Sequence, residues 1–289
     1  MTISSEIVKE LREKTGAGMM DCKRALSESN GDMEAAIESL RKKGVATAEK
    51  KSVRVAADGL IGHDISADGK VATLVEVNCE TDFVTKTEDF RGYVSRVTEI
   101  VRDRNPADLD GLLATTVDGK SVKDIQTDVV AKIGENINAR RFARVEIGAG
   151  KKLAQYIHAG SKIGVVVVYN DPNAKLDDTT GREVAMHVAA MHPQYVNKSD
   201  VPESVIAKEK EIMLAQMGET KKPAEILEKI LGGKINKFYT EICLSEQVYV
   251  RDPDGKSSVG GWLKKIDSAI TIDSFVRFQV GEGIEKRKD

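Results

Sequence analysis

The sequence predicts an α+β protein: a small helical bundle, then two related halves, each an antiparallel sheet with helices on one face, the second half interrupted by a helical hairpin. Three observations predict it. Apolar residues up to Leu40 recur at helical spacing, strand and turn patterns after Val55 occur twice in the same order, and a helical run from Thr179 to about Phe238 breaks the second copy.

Ser4 or Ser5 caps a first helix whose apolar residues Ile7, Val8 and Leu11 share a face. Thr15-Gly16-Ala17-Gly18 breaks it, and Met19, Met20, Cys22, Ala25 and Leu26 begin a second helix. Asn30-Gly31-Asp32 ends that helix and caps a third, with Met33, Ala36, Ile37 and Leu40 as its buried stripe. Three short helices bury little apolar area, so the unit is only marginally stable alone. The charged stretch Arg41 to Arg54 links it onward and completes a first unit of residues 1–54.

The run Gly69 to Asn78 is echoed by Ser161 to Asn170, and each follows a short strand pattern with a histidine, His63 or His158, so each reads as a hairpin. Asp118-Gly119-Lys120-Ser121 matches Asp254-Gly255-Lys256-Ser257, and Phe142 to Gly150 matches Phe275 to Gly283. Shared order argues for duplication: residues 55–150 form one half, and 151–178 with 239–270 form the other. Residues 179–238 form the insertion, with Val184, His187, Val188 and Met191, then Val205, Ile206, Ile212, Met213 and Met217, then Ile226, Leu227 and Ile230. Pro193, Pro202, Gly218 and Pro223 punctuate it, and residues 271–289 are a C-terminal strand or module. The apolar seam of a hairpin here can pack on itself or pair with another chain.

Composition bounds the function. The 289 residues carry a formal net charge of -2, without the basic excess of a phosphate-neutralising protein, so direct nucleic-acid binding is not expected. Cys22, Cys79 and Cys243 are odd in number and far apart, which reads as reduced intracellular thiols. The N-terminus lacks a signal pattern and no apolar run is long enough for a bilayer, so the expectation is a cytoplasmic protein with no membrane partner.

Gly-Lys-Ser occurs twice, but a phosphate-binding loop needs a further glycine where Ala114 and Val250 stand. Gly16-Ala17-Gly18, Gly148-Ala149-Gly150 and Gly281-Glu282-Gly283 each lack the third glycine of a dinucleotide fingerprint. His187 and His192 are five apart and off a common helical face, so no metal site and no cofactor is expected. Cys79 sits among polar residues, where a half-buried strand-end thiol is commoner than a nucleophile. Phe83, within Thr81-Asp82-Phe83-Val84, is either the first core residue of the next helix or an exposed anchor, and residue chemistry alone favours the core. Of the adjacent Met19 and Met20, one must face away from the bundle, where methionine suits an adaptable contact.

Leu11 to Lys23 (LREKTGAGMMDCK) and Val75 to Val84 (VEVNCETDFV) resemble the two signatures of the bacterial elongation factor Ts family. Lys132 to Ile137 and Phe278 to Gly283 also fit, in the same order. The resemblance implies a ubiquitin-associated-like three-helix N-terminal bundle, a core of two related subdomains, an inserted helical hairpin and a short C-terminal module. It implies guanine-nucleotide exchange on elongation factor Tu during translation, with no covalent chemistry. It further implies that Thr81, Asp82, Phe83 and Val84 intrude near the magnesium and phosphates of the GTPase, which favours an exposed Phe83. The bundle, through Met19, Met20 and Lys23, would contact the nucleotide-binding domain, and His158 would grip another domain. If the hairpin pairs between chains, a homodimer or a 2:2 complex results. Rival readings are a peptide-binding adaptor without exchange activity and a cysteine enzyme built on Cys79.

Overall fold

The structure is a computed structural model and describes residues 3–217 and 224–285, so Gly218 and Pro223 lie outside the described residues. The bundle comprises α1 (Ser5–Thr15), α2 (Met19–Glu28) and α3 (Met33–Ser52). The Ser4 hydroxyl accepts from the Ile7 N–H at the start of α1, Gly16 ends it at φ 67°, and Asp32 caps α3 through the Ala35 N–H. Val8, Leu11, Cys22, Ala25, Leu26 and Ala36 are its buried core. Ile7 differs from expectation and faces solvent, because neighbouring Val8 takes the core position. The expected linker is also helix. Ala46, Ala48, Glu49 and Lys50 favour helix, and with no proline α3 continues to Ser52. Gly44 of α3 lies against Ala131, where a Cβ would stand 3.4 Å from that side chain, and Ala48 packs on the core of the first half.

The first half contains β1 (Asp58–Ile65), β2 (Val71–Cys79), α4 (Glu88–Arg104), α5 (Leu109–Ala114), the short hairpin β3 (Thr116–Val117) and β4 (Lys120–Ser121), α6 (Val122–Ile133) and β5 (Asn138–Glu146). Then follow β6 (Lys151–Ile157), β7 (Ile163–Asn170), α7 (Asp178–Met191), α8 (Glu203–Met217), α9 (Ala224–Ile242), α10 (Val259–Ile266) and β8 (Thr271–Gln279). The antiparallel sheets run β1-β2-β5 and β6-β7-β8, so in each half a hairpin receives its third strand only after the helices. The central strands bulge at Glu76/Val77 and at Val168/Tyr169, the same place once Lys70 is aligned with Lys162. Helices α4 and α7 each end on a left-handed non-glycine residue, Asn105 and His192. The two halves are related.

Both central strands are buried on two faces. Val75, Val77 and Cys79 of β2 pack under Phe90, Tyr93 and Val97 of α4, and Val165, Val167 and Tyr169 of β7 pack under Val184 and Val188 of α7. The opposite faces of the two sheets meet each other: Ala72 and Leu74 of β2 with Ile61 of β1 pack against Val166 of β7, Leu153 of β6, and Val276 and Phe278 of β8. The sheets therefore stack face to face with helices outside. Gly164 permits the close approach, since a Cβ there would lie 2.8 Å from Ile61 Cγ2.

One end of this stack is polar. The buried Glu76 carboxylate accepts from Arg140 Nη1 (2.9 Å), Arg141 Nε (2.6 Å) and the Gly281 N–H (2.8 Å). Arg141 also pairs with Glu282 at 2.9 Å, which ties the turn after β8 to the first half. Gly281 has φ 72°, and a Cβ would stand 2.3 Å from the Ala57 carbonyl, so only glycine closes this turn.

The helical run from Thr179 divides. Instead of projecting with the hairpin, α7 covers the second sheet as α4 covers the first, because Val184, Ala185 and Val188 form a stripe onto it. His187 on α7 is buried between Gln247 Oε1 (2.9 Å) and the Val250 N–H (3.3 Å), which places its proton on Nε2. Burial pushes its pKa down, partly countered by Gln247. His192 lies apart from it, 3.5 Å from Glu282. The inserted hairpin proper is α8 with α9, held at its base by Val201, Val205, Phe238, Ile242 and Cys243. Of the expected seam Met213 is buried, while Ile212 and Ile226 are exposed, because two helices without a third layer cover only one stripe each. Among the described residues, no helix is long and apolar enough to cross a membrane. All three cysteines are free and buried.

Candidate partner-contact site

The segment between β2 and α4 folds into a tight, self-bonded turn. The Thr85 hydroxyl donates to the Asp82 carbonyl (2.6 Å), the Lys86 N–H to the Phe83 carbonyl (3.2 Å), and the Thr87 hydroxyl to the Val84 carbonyl (2.8 Å). Thr87 then caps α4, and Arg91 Nε returns to the Thr85 carbonyl at 3.0 Å. Val84 and Thr85 are buried beneath this turn, whereas Phe83 is 74% exposed. The position after the turn that a core aromatic would fill belongs to Val84 and Phe90, so Phe83 is left outside. Lys86 lies beside it, with Nζ 5.3 Å from the ring centroid, and also pairs with Asp82 at 3.3 Å. Val84, expected at the contact, anchors the turn from below.

Residues far along the chain hold this turn. Glu135 accepts at Oε2 from the Glu80 and Thr81 N–H groups (3.0 Å each) and at Oε1 from the Thr81 hydroxyl (2.7 Å). Reciprocally, Glu80 accepts from the Asn136 N–H at 2.7 Å and pairs with Arg54 at 3.4 Å. Asn136 Nδ2 donates to the carbonyls of Arg54 (2.7 Å) and Ser52 (3.3 Å), at the end of α3. In the sequence Glu135 and Asn136 stand out only as part of the run Lys132 to Ile137. The local signal was a polar pair directly after the left-handed Gly134 that ends α6, but their partners cannot be inferred from spacing.

The other expected contact residues stand on separate elements. Met19 and Met20 are 57% and 72% exposed, since the bundle draws only Cys22, Ala25 and Leu26 from α2, so both methionines face outward rather than one; Lys23 is exposed beside them. His158 is exposed beyond the end of β6, with Nδ1 3.1 Å from the Tyr156 hydroxyl. Among the described residues no hydrogen bond or ion pair joins these groups to the Phe83 turn.

The rejected chemistries have local explanations. Asp118 and Gly119, both at positive φ, are the two-residue turn of β3–β4, and the Ser121 hydroxyl caps α6. Lys256 and Ser257 donate their backbone N–H groups to Asp252, and Ser258 caps α10. Burial, with the nearby Glu135 charge, pushes the Cys79 thiol up to about 12, and its Sγ faces the Thr81 carbonyl at 3.1 Å. Near neutral pH it is a protonated core thiol, the opposite of an activated nucleophile.

A family model described as Elongation factor TS matches residues 80–282. The chain is 47% identical to Elongation factor Ts of Thioalkalivibrio sulfidiphilus, over 100% of this chain and 96% of that protein. It is also 47% identical to Elongation factor Ts of Syntrophotalea carbinolica, with the same coverage. Against Elongation factor Ts of Clostridium perfringens it is 44% identical, over 99% of this chain and 96% of that one. The Phe83 turn, with Glu135, Asn136 and Gly281, falls within the matched span, and this chain belongs to the elongation factor Ts family.

Proposed function

We propose that this chain promotes GDP release from elongation factor Tu in the bacterial cytoplasm, making and breaking no covalent bond. The observation that carries the reading is an aromatic side chain held outward on a braced turn, in a member of this family. Phe83 acts as a wedge near the phosphates, Thr81 and Asp82 flank it, and Asp82 perturbs the magnesium surroundings. Met19, Met20 and Lys23 contact the nucleotide-binding domain, and His158 reaches a second domain of the partner. Exposed Ile212 and Ile226 on the hairpin offer a surface for a second copy, giving a homodimer or a 2:2 complex.

The driving principle is linkage: a factor that binds the nucleotide-free GTPase more tightly than the GDP-bound form weakens GDP binding by the same ratio. Calorimetric titration onto nucleotide-free and GDP-loaded elongation factor Tu tests this, and equal affinities would overturn it. Asp82→Ala is expected to slow GDP release about 5–10-fold, less than loss of the aromatic anchor. Its own ion pair with Lys86 is exposed, so folding should hardly change. Because the proposed task concerns magnesium, the defect should shrink when the metal is chelated; an undiminished defect would show that Asp82 acts elsewhere.

A further inference from the structure

We infer that Glu135 is a positioning residue for exchange, acting by holding Phe83 in its outward geometry; this rests on the function proposed above. One carboxylate takes three hydrogen bonds of 2.7–3.0 Å from two consecutive residues, Glu80 and Thr81, immediately before Asp82 and Phe83. A surface turn would otherwise sample many arrangements, and ordering it at the moment of binding would subtract from the interaction. The clasp meets that cost within the free protein. It is braced a second time, because Glu80 is held by the Asn136 N–H while Asn136 holds the carbonyls of Ser52 and Arg54. The Phe83 turn, the end of α6 and the end of α3 are thereby fastened to one another, although Glu135 itself lies in the segment after α6 and its hydrogen bonds go to Glu80 and Thr81 rather than to Asp82 or Phe83.

The position is chemically selective. Oε1 and Oε2 are both used, so glutamine, with one carbonyl oxygen, can keep part of the set, and alanine keeps none. A wedge displaced by a fraction of its length loses force at the release step more than affinity, so Glu135→Ala should lower the maximal release rate roughly 10-fold. The concentration of this chain giving half-maximal release should change less than about 3-fold, since contacts on α2 and at His158 are untouched.

The test is stopped-flow release of a fluorescent GDP analogue from elongation factor Tu across a range of concentrations of Glu135→Ala, Glu135→Gln, Phe83→Ala and the Glu135→Ala/Phe83→Ala pair. Amide hydrogen exchange of Glu80 and Thr81 is followed in the free variants. Expected are a lower maximal rate in Glu135→Ala, partial recovery in Glu135→Gln, no further slowing when Phe83 is already alanine, and faster exchange of the two amides. A full maximal rate despite faster amide exchange would overturn the inference, as would equal slowing with and without Phe83. Should Glu135→Ala fail to fold, Glu135→Gln decides by the same comparison. Unimpaired release by Phe83→Ala with Glu135 intact would overturn the wedge role of Phe83 and the positioning role with it, whereas release left at its intrinsic rate by the unmodified chain would overturn the functional reading itself.

Discussion

Phe83→Ala is expected to slow GDP release from elongation factor Tu by roughly 30-fold or more, the cost of deleting one central aromatic anchor. Folding should barely register the change. The ring is 74% exposed, and its cation-π neighbour Lys86, 5.3 Å from the centroid, is also at the surface, where such contacts are worth about 0.5–1 kcal/mol. A core phenylalanine would behave oppositely, costing about 3–5 kcal/mol on truncation. Thermal unfolding and stopped-flow release on the same preparation separate the two. A large fall in melting temperature with release unimpaired would return Phe83 to the core.

Glu76→Ala is expected to destabilise by about 2–3 kcal/mol, because it removes a buried carboxylate on which two partly exposed arginines and a backbone N–H converge. Arg140 and Arg141 would lose their shared carboxylate and the Gly281 N–H its acceptor, so the turn after β8 would release from the first half. In a chain of this size that is a fall of about 4–12 °C in melting temperature. The pH dependence has a definite sign. Burial alone would raise the Glu76 carboxyl, but the Gly281 N–H, Arg141 and Arg140 outweigh it and hold the group below the usual carboxylate range. The stabilisation is therefore complete above the pKa of an unfolded glutamate, about 4.3, and is lost as pH falls through the lower folded value. The gap between wild type and Glu76→Ala should narrow in acid below about pH 4. A constant gap, or no difference near neutrality, would remove Glu76 from the closure of the two halves.

Much of this architecture was legible in local pattern. Capping residues, left-handed glycines and alternating valines act within a few residues, so the bundle, the two hairpins and their shared order could be read directly. What escaped depends on partners distant in sequence. The face-to-face stacking of the sheets rests on Gly164 meeting Ile61, and no spacing rule relates those positions. Arg41 to Arg54 looked like a linker because charge suggested solvent, yet alanine, lysine and glutamate are also helix formers, and α3 runs through them. Helix α7 carried the same period as the insertion, and only the sheet beneath it shows which it belongs to. At the site, residue chemistry favoured a buried Phe83 and family resemblance favoured an exposed one, because a helical pattern cannot tell whether Val84 or Phe83 takes the core slot. The clasp at Glu135 is not legible from spacing, since its hydrogen bonds reach a turn more than fifty residues earlier.

Exchange activity is read from the rate at which a fluorescent GDP analogue leaves elongation factor Tu, with excess unlabelled GDP, as the concentration of this chain is raised. The expected result is a saturable acceleration of roughly 10-fold or more, in line with coupling energies between linked sites. A release rate that stays at its intrinsic value while a complex between the two proteins forms would contradict it.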